Sequence, residues 1–236
     1  MAKPPKILGK RKQNIINVNA KILIICEGLT EANYFRQTLS IINFPGLKIE
    51  SISAEGSAPI SIVRHAENKQ SSEISKYGEH ARYDNIFCIY DNDEHQSLTI
   101  ADEFIQKYNR TNQVFLTKVF SNPCFEFWLL LHFKASTRPF HKTGAHTASK
   151  NCISELKLHL PGYDKNTNLD TYITLLSSKL DNALKNARQI YKNVISTNSY
   201  NPSTQIHLLF DYLYKIKASL KAECNELYTN PELNFN

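Results

Sequence analysis

Short apolar runs alternate with amphipathic stretches through the first half of the chain. The runs at 21–26 and 85–90 are continuous and rich in β-branched residues, which is typical of strands covered by helices on both faces. Residues 47–53 and 113–119 predict two further strands. Helices are predicted over about 30–43, 59–77, 97–109 and 124–133. Four strands that alternate with helices indicate a mainly parallel sheet with right-handed crossovers.

The second half of the chain predicts helices and no further clear strand. An amphipathic helix is predicted over 145–159, and apolar side chains recur with a period close to 3.6 residues over 169–196, which predicts one long helix. The segment 201–204 is expected to begin a last helix that ends near residue 220. The predicted organisation is a basic N-terminal arm at 1–19, an α/β domain at 20–135 and a helical extension at 136–236.

Acidic residues stand where two of the predicted strands end. Glu27 follows the first strand, and Asp91 and Asp93 follow the third. The carboxyl ends of parallel strands lie at one edge of a sheet, so these three carboxylates are expected to converge. Their mutual repulsion favours a cation between them. An all-oxygen ligand set suits Mg²⁺ or Mn²⁺ better than zinc, and Glu27 is the candidate general base.

Each acidic segment also has an ordinary structural interpretation. The sequence Asp91-Asn92-Asp93 is a common turn, and Glu27 with Gly28 could simply begin a loop. Thr30 and Glu31 fit the start of the following helix, as an N-cap and a partner for the helix dipole. Glu31 lies one helical turn beyond Glu27, so it could also face the same cleft.

The apolar segment that follows the fourth predicted strand carries two polar residues, Glu126 and His132. A charge in such a segment is costly unless it is paired or bound to a metal. One alternative places Glu126 in the active cleft with Asn122. The other pairs it with a basic residue such as Arg138 or Lys165. His132 is expected to be a core histidine with its hydrogen bonds satisfied rather than a ligand.

Composition limits the class of protein. With 236 residues, of which 42% are hydrophobic and 21% charged, the chain is expected to fold around a sizeable core. No apolar run approaches the roughly 20 residues that span a bilayer, so a cytoplasmic location without membrane contact is expected. The net charge of +6 permits nucleic-acid binding without requiring it. The five cysteines form no Cys-x-x-Cys pair and are expected to be reduced core thiols.

Several motifs carry a resemblance to a known family. They are Ile24-Ile25-Cys26-Glu27-Gly28 with Thr30-Glu31 and Tyr34-Phe35, then Tyr90-Asp91-Asn92-Asp93-Glu94-His95, and then Ser121-Asn122-Pro123-Cys124-Phe125-Glu126-Phe127-Trp128-Leu129-Leu130-Leu131-His132-Phe133. The segments 160–163, with Lys165, and 201–204 extend the match into the second half. On these residues the chain resembles the RloB family, which is similar in turn to Toprim nucleases.

This resemblance implies a Toprim-like core in which Glu27 ends the first strand and Asp91 and Asp93 end the third. In Toprim enzymes the aspartates hold Mg²⁺, and the glutamate joins them or acts as general acid/base in phosphodiester chemistry. Asn92 stands where many relatives are expected to carry a basic residue, which removes one phosphate contact. RloB-like proteins occur in defence loci, often beside restriction systems and a partner ATPase.

The sequence and the resemblance together predict an α/β, Toprim-like protein with a four-stranded, mainly parallel sheet flanked by helices and a C-terminal helical extension. The expected function is Mg²⁺-dependent endonuclease activity in antiviral or abortive-infection defence. Glu27, Asp91 and Asp93 are the expected metal ligands and catalytic residues, and Glu31 and Glu126 are further catalytic candidates. The alternative is a non-catalytic regulatory subunit that binds nucleic acid or a protein partner. DNA or RNA and a partner ATPase are the expected partners, and a homo-oligomer is left open.

Overall fold

The computed structural model describes residues 20–44, 47–54, 56, 58–91, 97–112, 114–165 and 169–229. The first half of the chain contains β1 (Lys21–Cys26), α1 (Leu29–Ile42), β2 (Lys48–Ser53), α2 (Pro59–Tyr77), β3 (Asn85–Asp91), α3 (Ser97–Thr111) and β4 (Phe115–Asn122). The second half contains α4 (Glu126–Leu130), α5 (Ala148–Leu156), α6 (Asp170–Ser178), α7 (Leu180–Thr197), β5 (Ser203–Thr204) and α8 (Ile206–Thr229). The predicted basic arm at 1–19 and Asp93 lie outside the described residues.

The strands form one five-stranded sheet in the order β2-β1-β3-β4-β5. The first four strands pair in parallel, and β5 pairs antiparallel to β4. The chain leaves β1 for β2 on one side and later returns to place β3 on the other side of β1. The carboxyl ends of β1 and β3 therefore form a topological switch point, where open α/β sheets leave a crevice.

Side chains along the buried strands point alternately to the two faces of the sheet, so both faces are apolar. Helices cover both of them. Ile22 and Ile24 of β1 face a large core that includes residues of α1 and of the helices of the second half. Leu23 and Ile25 face a smaller core with α2 and α3. Four of the five cysteines are buried free thiols, as expected, namely Cys26, Cys88, Cys124 and Cys152.

The α/β class and the four parallel strands are confirmed, but the predicted strand count is wrong because β5 adds a fifth. The segment 201–204 was expected to begin the last helix, but Ser203 and Thr204 instead pair with the end of β4. The Asn201 side chain accepts the Phe140 backbone N–H at 3.0 Å and donates to the Phe140 carbonyl at 2.7 Å. The hydroxyls of Ser121 and Thr204 lie 2.8 Å apart across the two strands. These bonds hold 201–204 extended, and α8 begins only at Ile206.

Two predicted helices differ in extent. The apolar helix expected over 124–133 is regular only over Glu126–Leu130. The long helix expected over 169–196 is divided at Lys179, whose backbone (φ −110°, ψ 10°) leaves the helical region. The break lets α6 pack against α1 while α7 packs against α4 and α8.

Both halves of the chain contribute to the larger core. Trp128 of α4 stacks on Phe210 of α8 with ring centroids 5.8 Å apart, and Phe87 of β3 meets Tyr212 at 5.3 Å. The predicted domain boundary near residue 135 stays a prediction. Among the described residues, no helix combines the length and apolar character needed to cross a membrane.

Candidate functional site

Glu27 and Asp91 meet where β1 and β3 end. The pairing of these strands places Cys26 opposite Ile89, and the Glu27 backbone N–H donates to the Ile89 carbonyl at 3.0 Å. The Glu27 Oε2 atom then accepts the backbone N–H of Asp91 at 3.1 Å. The structure thus brings together two of the three carboxylates that were expected to converge.

Glu31 joins this edge of the sheet from the first turn of α1. Its side chain is folded back over Gly28, where a Cβ atom would lie 2.8 Å from Glu31 Oε2. The residue is only 9% exposed, and burial raises its pKa to about 7. A hydrogen bond to its own backbone lowers the pKa, as expected at a helix start, but the charge of Glu126 raises it further.

Glu126 enters the same site from α4. Only 1% of the residue is exposed. The Tyr163 hydroxyl donates to Glu126 Oε1 at 3.1 Å, and the Lys165 ammonium lies 3.5 Å from Oε2. Oε2 accepts no hydrogen bond within the described part of the chain. Of the alternatives for Glu126, the pairing with Lys165 is therefore observed, and the pair lies beside the strand ends.

These four residues, Glu27, Glu31, Asp91 and Glu126, form what we call the acidic cluster. Burial raises the pKa of Asp91 well above its usual value, and the charges of Glu31, Glu27 and Glu126 raise it further. The charge of Lys165 lowers the pKa of both Asp91 and Glu31. The charged forms of Asp91 and Glu31 are thus disfavoured in spite of Lys165.

The chemistry of the acidic cluster suits a hard divalent cation. Its donors are carboxylate oxygens. Burial and then repulsion between these groups raise the pKa of Asp91 and Glu31, and a cation among them would favour their charged forms. Glu126 Oε2 is a buried acceptor to which no described residue donates a hydrogen bond. Across the described ranges, no group of three or more His, Cys, Asp or Glu side chains has the arrangement of a metal site. A complete ligand set would draw on Asp93, which follows Asp91 by two residues.

Two contacts of the site were not predicted from the sequence. No local pattern marks the Tyr163 hydroxyl as part of the site, although Tyr163 belongs to a motif that carries the family resemblance. Thr30 was expected to be an N-cap, but the N-cap position is Gly28. The Thr30 hydroxyl donates instead to the Lys165 carbonyl at 2.8 Å. A contact between residues so distant in sequence leaves no local pattern.

His132 is a core histidine, as expected. Its Nδ1 atom lies 3.1 Å from the Trp128 carbonyl, and its Nε2 atom lies 3.1 Å from the Tyr34 hydroxyl. A carbonyl only accepts, so Nδ1 carries the proton and Nε2 accepts from Tyr34. Burial lowers the pKa of His132 to about 4, which keeps the ring neutral.

Comparison with known proteins identifies one family. The family model described as RloB-like protein matches residues 22–213. The match begins in β1 and ends in α8, so it includes the acidic cluster, Tyr163 and Lys165. No curated protein and no solved structure matches the chain.

Proposed function

The chain belongs to the RloB-like protein family, and we propose that it is a Mg²⁺-dependent endonuclease of an antiviral or abortive-infection system. The observation that carries this proposal is the acidic cluster at the carboxyl ends of β1 and β3. That position is the switch point of the sheet, where α/β proteins bind their ligands. The proposal includes a Toprim-like sheet, a cytoplasmic location and a partner ATPase.

In this proposal Glu27, Asp91 and Asp93 hold Mg²⁺, and Mn²⁺ is an alternative ion. When bound, such an ion stabilises charge on the attacked phosphate and lowers the pKa of a bound water. Glu27 is fixed by the backbone N–H of Asp91. Glu31, with a pKa of about 7, can both accept and release a proton at neutral pH. Glu31 is therefore a stronger candidate for proton transfer than the sequence alone indicated.

The test is metal-dependent cleavage by the purified protein. Plasmid DNA, single-stranded DNA and tRNA are incubated with Mg²⁺ or Mn²⁺ and with the wild type, Asp91→Asn or Asp102→Asn. Asp102 is a matched control because it lies on α3 and pairs with Lys118 on the protein surface. We expect cleavage that Asp91→Asn abolishes and Asp102→Asn retains.

Two results would count against the nuclease. One is cleavage that survives Asp91→Asn. The other is no cleavage of any substrate even when the neighbouring ATPase and an infection trigger are supplied.

A second candidate function is a regulatory subunit that binds nucleic acid or a protein partner without cleaving it. It is favoured by the lack, within the described residues, of three side chains arranged as a metal site. In that case Asp91→Asn alters stability or partner binding, and the wild type cleaves no substrate under any of the conditions above.

A further inference from the structure

We propose that Lys165, beside the acidic cluster, contacts the phosphate backbone of the nucleic acid, and that Glu126 and Thr30 position it. This inference rests on the function proposed above, because it concerns the ligand of the same site. It makes the second half of the chain a part of the site rather than a separate attachment.

Lys165 is held from two elements of the fold. The Thr30 hydroxyl, in the first turn of α1, donates to the Lys165 carbonyl at 2.8 Å and so fixes the backbone. Glu126, at the start of α4, lies 3.5 Å from the Lys165 ammonium and directs the side chain. Glu126 is itself held by the Tyr163 hydroxyl at 3.1 Å. The ammonium therefore has a defined place beside the strand ends.

Glu126 and Lys165 differ in how far their side chains are exposed to solvent. The side chain of Glu126 is 2% exposed, whereas that of Lys165 is 47% exposed. The separation of 3.5 Å is longer than the roughly 2.8 Å of a strong charge-assisted hydrogen bond. A cation that is anchored by a buried acid and still reaches solvent is suited to meet an incoming anion.

A cationic residue beside the acidic cluster would favour the binding of nucleic acid. The acidic cluster repels a polyanion, and Lys165 opposes the charge that acts on both Asp91 and Glu31. Burial lowers the pKa of Lys165, but Glu126 and Asp91 outweigh this and raise it above the usual value. Lys165 is therefore charged at neutral pH, and a compact ammonium is a common phosphate ligand.

The experiment measures binding rather than cleavage. A fluorescent single-stranded DNA 20-mer and an RNA of the same sequence are titrated in Ca²⁺, which replaces Mg²⁺, at several salt concentrations. The variants are Lys165→Ala, Lys165→Gln, Lys165→Arg and the control Lys134→Ala. Lys134 is a close match because its side chain is 44% exposed and pairs with Glu155 at 2.7 Å.

We expect Lys165→Ala and Lys165→Gln to weaken binding about tenfold and to reduce the slope of log K against log salt by about 0.7, the loss of one phosphate contact on a single strand. Lys165→Arg should keep the slope, and Lys134→Ala should match the wild type. Thermal unfolding of each variant shows whether the fold is retained, and Lys165→Gln preserves the length of the side chain if Lys165→Ala does not fold.

Each contrary outcome has a distinct meaning. If the wild type binds the probes and both neutral variants keep its slope, Lys165 contacts no phosphate while the proposed function stands. A loss of slope in Lys134→Ala as large as in Lys165→Ala also overturns the assignment, because a surface charge then has the same effect. If the wild type binds neither probe, the assignment of Lys165 falls, and the cleavage assay described above decides the nuclease proposal separately.

Discussion

The two ends of β1 carry opposite electrostatic arrangements. At its amino end, the Lys21 ammonium lies 3.0 Å from Glu73, and Lys69 lies 3.2 Å from Glu73 and 3.4 Å from Glu50. Glu50 also accepts the Tyr83 hydroxyl at 2.6 Å. The hydrogen bond from Lys21 lowers the pKa of Glu73. Glu73 and Glu50 thus each have a cationic partner at this end, and the hydrogen bonds to Glu73 favour its charged form.

The carboxyl end of the same strand lacks this balance. Lys165 lowers the pKa of both Asp91 and Glu31, yet burial and the neighbouring carboxylates raise these pKa values overall. The ion pairs at one end of the strand therefore contrast with the raised pKa values at the other. Buried carboxylates with raised pKa values at a switch point are the feature on which the cation site proposed above rests.

The largest expected effect is on nucleic-acid cleavage, which should depend on the carboxyl end of β1 and not on its amino end. Glu27→Gln should lower metal-dependent cleavage roughly 100-fold or more, because it removes a ligand and a charge from the reacting centre. Glu73→Gln at the amino end should leave cleavage within about twofold of the wild type. The rates of both variants are measured on the substrate that the wild type prefers. Equal losses would show that the two ends do not differ in function.

The next effect is the pH dependence of stability. The pKa of Glu31 is raised from 4.5 to about 7, so the folded state retains a proton that the unfolded state releases. The contribution of Glu31 to the free energy of unfolding should therefore fall as pH rises from 4.5 to about 7, by at most about 1.4 kcal/mol per pH unit. Glu31→Gln should remove this contribution.

Urea unfolding at several pH values between 5 and 8, with divalent ions removed by chelation, measures this effect. Burial lowers the pKa of His132 and of His207 to about 4, so these residues add a slope of opposite sign below about pH 6.5. They do so equally in the wild type and in Glu31→Gln, and the contribution of Glu31 is the difference between the two proteins. An unchanged slope in Glu31→Gln would mean that Glu31 titrates normally in the folded protein.

A smaller effect should have opposite signs at the two ends. Without divalent ions at pH 8, Asp91→Asn should raise the free energy of unfolding by about 1 kcal/mol, because it replaces a carboxyl group whose charged form is disfavoured by burial and by the neighbouring acids. Glu73→Gln should lower it by about 1 kcal/mol, because it weakens an ion pair. Each change corresponds to a shift in Tm of about 2–4 °C for a chain of this size. Thermal unfolding would contradict the comparison if both variants moved Tm in the same direction.

The sequence predicts the centre of the site better than its rim. Glu27 and Asp91 follow two apolar runs, and parallel pairing with a fixed register brings such strand ends together. Lys165 and Tyr163 reach the cluster from a loop far along the chain, and no periodicity encodes that approach. Only the pairing of Glu126 with a basic residue was foreseen, from the cost of burying its charge.

The fold shows the same limit. Continuous apolar runs predict β1 and β3 closely, since burial on both faces leaves a strong signal. The two-residue strand β5 is polar, and its residues resemble a helix start until their partners in β4 are known. The break at Lys179 also depends on what α6 and α7 pack against, because the apolar period continues through it.

Binding of a cation at the carboxyl end of β1 can be measured directly, without a substrate or a trigger. Mg²⁺ is titrated while thermal unfolding is followed at pH 8. The wild type, Asp91→Asn and Glu73→Gln are compared. We expect Mg²⁺ to raise Tm in the wild type and in Glu73→Gln. At a concentration ten times the dissociation constant, the ion should increase the free energy of unfolding by about 1.4 kcal/mol. It should have little effect in Asp91→Asn. An equal response in all three proteins, or none in the wild type, would contradict a metal site at the acidic cluster.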